Sequence, residues 1–91
     1  MLIEKKTVPS LFNAVLKGKK TFDARLADFK CKPGDVIVLR EWDPKTKTYT
    51  GRAIRRRVSY VLKTKDINFW PKKDVEKYGL QILGFKTEQE R

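Results

Sequence analysis

The run Val36-Ile37-Val38-Leu39 is apolar at four consecutive positions, so a strand formed by it has two apolar faces. The turn signal Pro33-Gly34-Asp35 directly precedes this run and favours a strand that begins at Val36. Strands with two apolar faces are typically buried on both sides. The run therefore predicts the central strand of a sheet, covered on both sides by other parts of the chain.

A strand and a short helix are predicted ahead of this central strand. Residues 2–8 are rich in β-branched and apolar side chains, and Pro9 follows where a helix accepts proline in its first turn. Gly18 is suited to end the helix, because glycine readily adopts the left-handed conformation. One face of the helix carries the apolar stripe that should pack on the sheet, formed by Leu11, Phe12, Val15 and Leu16.

Three further strands are predicted after the helix. Residues 21–26 alternate between polar and apolar side chains, which is typical of a half-buried strand. Residues 42–51 predict a polar hairpin connection, and residues 52–62 predict a long strand that pairs antiparallel with the central one. Residues 80–85 predict a closing strand.

A second short helix is predicted over residues 72–78 and is closed by Gly79. The element order is then β-α-β-β-β-α-β, and residues 87–91 form a polar tail. Ninety-one residues provide one core and leave no room for a second domain. We therefore predict a single α+β domain over residues 1–91, a mixed β pseudo-barrel with two short helices.

The charge balance favours a polyanionic partner. The chain has 22 Lys and Arg against 11 Asp and Glu, a formal net charge of +11. Such an excess attracts nucleic acid, because each phosphate neutralised by Lys or Arg releases condensed counterions. A Lys-rich surface that only keeps the chain soluble is the alternative, since net charge reports general attraction and not a site.

The cysteine and histidine content excludes several classes of site. Cys31 is the only cysteine, and the chain has no histidine. An intramolecular disulfide, a zinc site and histidine-based catalysis are therefore excluded, and we expect no metal and no cofactor. No apolar segment has the length of a signal-peptide core or a membrane span. We expect a cytoplasmic, soluble monomer without a membrane partner.

Two basic clusters are candidate contacts for nucleic acid. In Lys17-Gly18-Lys19-Lys20, the turn after the helix would direct ammonium groups and backbone N–H groups toward an anion. A solubilising turn is the alternative for this cluster. The second cluster is Arg52-Ala53-Ile54-Arg55-Arg56-Arg57.

Strand alternation assigns different roles to the arginines of the second cluster. Arg55 and Arg57 point outward, toward phosphate or solvent. Arg56 shares its strand face with apolar side chains, and burying an unpaired guanidinium is costly. We therefore expect Arg56 at a barrel mouth or beside an acid such as Asp23 or Glu41.

The strand predicted at residues 21–26 carries a third candidate group. Thr21, Asp23 and Arg25 share one face and bring together a hydroxyl, a carboxylate and a guanidinium. Such a set can read a base edge, with Arg donating and Asp accepting, and a surface salt bridge is the alternative. Among the aromatic residues, Tyr49 and Trp70 lie in connections and are candidates for stacking on bases.

The segment Gly18-Lys19-Lys20-Thr21-Phe22-Asp23-Ala24-Arg25 resembles the GxKxxExR signature of the ASCH domain, a branch of the PUA-like superfamily. With the preceding helix, the Pro-Gly-Asp turn and residues 41–58, the pattern is similar to small bacterial and phage ASCH/PUA-like proteins. The resemblance covers residues 2–62 and the strand at 79–85. It implies a PUA-like pseudo-barrel whose cleft is lined by the signature residues and binds RNA or a modified nucleoside.

The resemblance also implies an alternative function, a small metal-independent hydrolase. One related group of ASCH proteins cleaves the amide of acetylated cytidine with a signature Lys, a Thr at the position of Asp23 and a distant Glu, and other ASCH proteins are ribonucleases. This chain matches only Lys20, and Asp23 replaces the usual signature Glu with a side chain shorter by one methylene. An amidohydrolase or ribonuclease here would use Lys20 and Asp23 as catalytic residues, with Glu41 or Glu76 as a second carboxylate.

The sequence therefore favours a module that binds nucleic acid or a nucleotide through a basic cleft. RNA is the expected partner, and single-stranded nucleic acid and a modified nucleoside are the other candidates. A hydrolase and a protein-binding adaptor are the alternative classes. The candidate contact residues are Lys17, Gly18, Lys19, Lys20, Thr21, Asp23, Arg25, Tyr49, Arg52, Arg55, Arg56, Arg57 and Trp70.

Overall fold

The computed structural model describes residues 1–86 and contains a three-stranded mixed sheet. Its strands are β1 (Leu2–Thr7), β2 (Val36–Asp43) and β3 (Thr48–Arg57), in the spatial order β1-β2-β3. β2 pairs parallel with β1 and antiparallel with β3. The prediction of a central strand at Val36 is thereby confirmed, and the neighbouring residues Val38 and Leu39, which face opposite sides of the sheet, are both buried.

The helix α1 (Pro9–Leu16) packs one side onto this sheet. Phe12 and Val15 form a core cluster with Leu39 of β2 and Ile54 of β3. Phe12 and Val15 lie on one side of α1, and Leu39 and Ile54 lie on one face of the sheet. Burial of the apolar surface between them positions the helix. Only half of the predicted apolar stripe is buried, since Leu11 and Leu16 are each 48% exposed.

Gly18 ends α1 as predicted, in the left-handed region with a φ of +75°. The backbone N–H groups of Lys19 and Lys20 both donate to the carbonyl of Ala14. They satisfy the helix C-terminus, so the prediction that they face an anion is wrong. The lysine side chains of this turn remain candidate contacts.

β3 contains an irregularity that affects the candidate site. Arg40 pairs with Ala53 and Trp42 pairs with Tyr49, so Glu41 of β2 faces three residues of β3. One of these three is Gly51, whose φ of +98° strains any other residue type. Such a bulge redirects side chains locally. β3 is also displaced from the predicted strand, because it begins earlier than residue 52 and ends before residue 62.

The predicted pseudo-barrel is not formed by the described residues, because two of the predicted strands are absent. Residues 21–26 have no strand pairing, and Arg25 attaches this segment to β1 through its side chain instead of through a backbone ladder. Residues 80–85 also make no strand. Alternation in residues 21–26 and apolar content in residues 80–85 favour an extended chain, but neither feature supplies a pairing partner. The sheet stays open at three strands, in a small α+β fold.

The chain divides into two units, Met1–Val61 and Leu62–Arg91. The second unit contains a short 3₁₀ helix at Thr64–Asp66 and the helix α2 at Lys72–Tyr78, which confirms the second predicted helix. The single domain over residues 1–91 stays a prediction, and the predicted polar tail at 87–91 lies outside the described residues. No helix in residues 1–86 is long and apolar enough to cross a membrane.

Candidate nucleic-acid interface

Three groups of polar and aromatic side chains lie at the C-terminal ends of the parallel strands β1 and β2. Thr7, the last residue of β1, is paired in register with Glu41 near the end of β2, and both residues are buried. Ligands of α/β sheets commonly bind beyond the carboxyl ends of parallel strands. The candidate site is therefore at this end of the sheet.

The first group, the signature cluster, consists of Lys20, Asp23 and Arg25. Arg25 Nε donates to Asp23 Oδ2 at 2.6 Å, and Lys20 Nζ lies 3.6 Å from Asp23 Oδ1. Arg25 also donates from Nη1 to the Lys6 carbonyl at 2.7 Å and from Nη2 to Thr7 Oγ1 at 2.8 Å. The cluster predicted from the sequence is therefore brought together, and it is attached to the end of β1.

The three residues of the signature cluster differ in how much bonding capacity remains. Arg25 uses three of its five guanidinium N–H groups within the chain, one on each nitrogen, and these hydrogen bonds fix the segment to β1. Lys20 Nζ donates to the Phe22 carbonyl at 2.9 Å and lies near Asp23. An ammonium has three hydrogens, and the only hydrogen bond that Lys20 Nζ makes among residues 1–86 is to the Phe22 carbonyl. Lys20 therefore keeps donor capacity for a ligand. Lys17, Lys19 and Thr21 are exposed.

The second group, the Glu41 cluster, surrounds a buried carboxylate. Arg52 donates from Nε to Glu41 Oε1 at 2.9 Å and from Nη2 to Oε2 at 2.8 Å, and Thr50 Oγ1 donates to Oε1 at 2.6 Å. Arg52 Nη2 also donates to Asn13 Oδ1 of α1. These hydrogen bonds, from Arg52 first and then Thr50, lower the pKa of Glu41 from 4.5 to about 2.

Glu41, one of the two acids predicted to pair with Arg56, pairs with Arg52 instead. Both arginines project on the same side of β3, but the bulge at Gly51 brings Arg52 and Thr50 opposite Glu41. Arg56 is exposed, pairs in register with Ile37 and donates to the Arg55 carbonyl. Among residues 1–86, no carboxylate lies within ion-pairing distance of Arg56. Of the two positions expected for Arg56, the one beside Asp23 or Glu41 is therefore wrong, and the described residues form no barrel mouth for the other.

Acid is expected to weaken the fold through the Glu41 cluster. Because folding lowers the pKa of Glu41 from 4.5 to about 2, its stabilisation is complete above pH 4.5 and is lost as the pH falls toward 2. We expect Glu41→Gln to lower the Tm at pH 7, and the difference from the parent chain to close in acid. Thermal melts followed by circular dichroism, at pH 7 and in acid, measure the difference in Tm between Glu41→Gln and the parent chain. Glu4→Gln is the control, because Glu4 is exposed on β1. An equal difference in Tm at pH 7 and in acid would show that the charge of Glu41 does not stabilise the fold.

The third group, the aromatic-cation group, consists of Lys6, Arg40, Trp42 and Tyr49. The rings of Trp42 and Tyr49 meet edge to face with centroids 4.9 Å apart. Lys6 Nζ lies 3.9 Å from the Trp42 ring centroid, and Arg40 Cζ lies 3.9 Å from that of Tyr49. Tyr49 is the only member of this group that was predicted from the sequence as a contact residue. The spacing of Arg40 and Trp42, two residues apart on one strand, is the signal that could have identified the others.

The remaining predicted contacts lie apart from these groups. Arg55 and Arg57 are exposed, Arg57 donates to the Gly34 carbonyl, and within residues 1–86 neither arginine has a carboxylate at ion-pairing distance. Trp70 belongs to the second unit, where it is 53% exposed and packs edge to face with Phe69.

The cationic charge is concentrated in the unit that contains the three groups. Residues 1–61 carry 15 Lys and Arg against 6 Asp and Glu. No group of three or more potential metal-ligating side chains is found in the part of the chain that the structure describes. The charge of this unit therefore favours anions.

Comparison with models of protein families gives a match. A family model described as "Domain of unknown function (DUF3850)" matches residues 3–78, from β1 to the end of α2. No curated protein and no solved structure matches the chain. The match includes every residue of the three groups.

Proposed function

We propose that this chain, which belongs to the DUF3850 family, is a nucleic-acid-binding module with RNA as its partner and the signature cluster as its contact point. The attachment of Arg25 is the observation that carries the proposal, because one guanidinium holds Asp23, Thr7 and the Lys6 carbonyl at once. An exposed ion pair alone contributes less than about 1 kcal/mol. The additional anchoring to β1 gives Lys20 and Asp23 a fixed position at the end of the sheet.

Lys20 and Asp23 together offer a donor beside an acceptor. The Lys20 side chain is 15% exposed and that of Asp23 is 20% exposed, so both are accessible but partly shielded from water. A free N–H of Lys20 donates to a phosphate or a base carbonyl, and Asp23 Oδ1 accepts from a base amino group. The excess of cations in residues 1–61 attracts the polyanion to this point.

We also propose that the fold is related to that of the PUA-like superfamily. Three features support it: the signature residues directly follow α1, they are attached to β1, and β1 belongs to a mixed sheet. Asp23 stands where the ASCH signature has Glu. Its shorter carboxylate is bound by Arg25 at 2.6 Å, so the position keeps an internal ionic contact despite the missing methylene.

Lys20→Ala is expected to weaken the binding of single-stranded RNA by about tenfold or more, because it removes a charge-assisted hydrogen bond. Fluorescence anisotropy with labelled single-stranded RNA, duplex RNA and single-stranded DNA over a salt series measures the affinity. Lys19→Ala is the matched control, since Lys19 has the same charge, lies one residue away and is exposed. We expect it to cost only a few-fold.

Equal losses in Lys20→Ala and Lys19→Ala would contradict the assignment of the site, since they would show that only total charge matters. Circular dichroism melts of both variants establish that the comparison is made between folded chains. Binding that neither substitution nor salt affects would contradict the proposed function itself.

A metal-independent hydrolase is the second candidate function, favoured by the 3.6 Å separation of Lys20 Nζ and Asp23 Oδ1. A carboxylate that takes a proton from an attacking water, beside an ammonium that stabilises the developing oxyanion, is the pair such a reaction uses. Assays for cleaved RNA and for acetate released from acetylated cytidine test it. Product that disappears in both Lys20→Ala and Asp23→Asn, at unchanged Tm, supports a hydrolase, and intact substrates contradict it.

A further inference from the structure

The aromatic-cation group lies on the face of the sheet opposite α1. Leu39 and Glu41 of β2 point toward α1 and its Asn13, so the alternating residues Arg40 and Trp42 point to the other face. Tyr49 joins them because it pairs in register with Trp42. Tyr49 is 39% exposed, and Arg40 and Trp42 are half-buried, so all three side chains keep some surface in contact with solvent.

Lys6 connects the aromatic-cation group to the signature cluster. Its carbonyl accepts from Arg25 Nη1 at 2.7 Å, whereas its ammonium lies over the Trp42 ring at 3.9 Å. The two groups are therefore neighbours at the end of β1, one at the strand edge and the other on the sheet face.

A row of arginines continues from the aromatic rings along the same face. Arg55 and Arg57 of β3 pair in register with Val38 and Val36, which alternate with Leu39 and so face away from α1. From Val36 to Trp42 is six residues, or about 20 Å of strand. The face thus has aromatic rings at one end and guanidinium groups along its length.

We propose that this face binds single-stranded nucleic acid, with unpaired bases stacking on Trp42, Tyr49 and the Arg40 guanidinium, and with phosphates on Arg55 and Arg57. The inference rests on the proposed function, since it adds a second contact surface for the same partner. Proteins that bind single-stranded nucleic acid typically stack the bases on aromatic rings and guanidinium groups and bind the phosphates with a row of basic side chains. A duplex keeps its bases stacked internally, and an acidic peptide would use the arginines but not the rings.

Trp42 supplies a direct probe of stacking. The chain has two tryptophans, so Trp70→Phe leaves Trp42 as the only one. Titration of this variant with oligouridylate should quench the Trp42 emission, because a base stacks on the ring. Inorganic polyphosphate, which has the charge without bases, and duplex RNA should quench it much less. Equal quenching by polyphosphate or by duplex RNA would overturn the inference.

Affinity measurements on the full chain provide the second test. Tyr49→Ala should weaken oligouridylate binding by between about fivefold and a hundredfold, the usual range for one stacked base. Tyr60→Ala is the control, because Tyr60 belongs to the same unit, is 75% exposed and lies outside the aromatic-cation group. Equal effects of the two substitutions would overturn the inference.

The two proposals fail in distinguishable ways. If Lys20→Ala weakens RNA binding while the Trp42 emission stays constant during titration, the stacking face is wrong and the proposed function stands. If Trp42 is quenched and Lys20→Ala binds normally, the stacking face stands and the signature cluster is not the contact point. Absence of any RNA binding overturns both.

Discussion

Phe12→Ala is expected to lower the free energy of unfolding by about 3–5 kcal/mol, the usual cost of removing a buried phenyl ring. Phe12 is 1% exposed and contacts a core cluster that otherwise contains Val15, Leu39 and Ile54. It also lies 4.8 Å below the Arg52 guanidinium, measured to the ring centroid. A chain of this length has a total stability of only about 5–14 kcal/mol, so this single change removes a large share of it.

Leu11→Ala on the same helix is the matched control for Phe12→Ala. Leu11 is 48% exposed, so its replacement by alanine removes less buried apolar surface than Phe12→Ala does. Alanine also has a high helix propensity. Urea unfolding followed by circular dichroism measures both variants. A loss in Leu11→Ala as large as that in Phe12→Ala would contradict the assigned helix face and the core built on it.

The elements that depend only on neighbouring residues, β2 and α1, were predicted correctly from the sequence. The run at Val36 has two apolar faces and follows a Pro-Gly turn, and β2 is the central strand. Pro9 and Gly18 delimit α1 because proline is tolerated in a first helical turn and glycine adopts the left-handed conformation at its end. Each of these signals depends on a few neighbouring residues and on no distant partner.

The wrong predictions concern pairing between distant parts of the chain. Residues 21–26 alternate like a strand, but the Arg25 side chain takes up bonding groups at the end of β1. Residues 80–85 are apolar, yet Leu83 and Phe85 are 66% and 82% exposed. Alternation shows which side chains share a face, but it does not show whether a neighbouring strand is available.

The candidate site was predictable where its residues are close in sequence. Lys20, Asp23 and Arg25 lie within six residues, and both the alternating pattern and the ASCH-like signature indicated them. The pairing of Glu41 with Arg52 instead of Arg56 depends on the bulge at Gly51, which changes the register of β3. A glycine within a strand suggests a bulge, but it does not determine which arginine moves toward the acid.

Replacing Arg55 and Arg57 together by glutamine is expected to make RNA binding less dependent on salt. Each phosphate contact with single-stranded nucleic acid contributes about 0.7 to the slope of log affinity against log salt, so losing two lowers the slope by about 1.4. The advantage of the parent chain over the variant should then shrink by about sevenfold between about 50 and 200 mM salt. Both side chains are exposed on β3, so the fold should persist.

A charge-matched control decides whether this effect belongs to β3 or to net charge alone. Replacing Lys72 and Lys73 of α2 by glutamine removes the same number of charges from the second unit. If the arginines contact phosphate, the lysine variant keeps most of the parent salt slope, because charges outside the contact release few counterions. Equal slopes in the two variants would mean that the chain attracts RNA through total charge, and the basic face of β3 would then not be a binding surface.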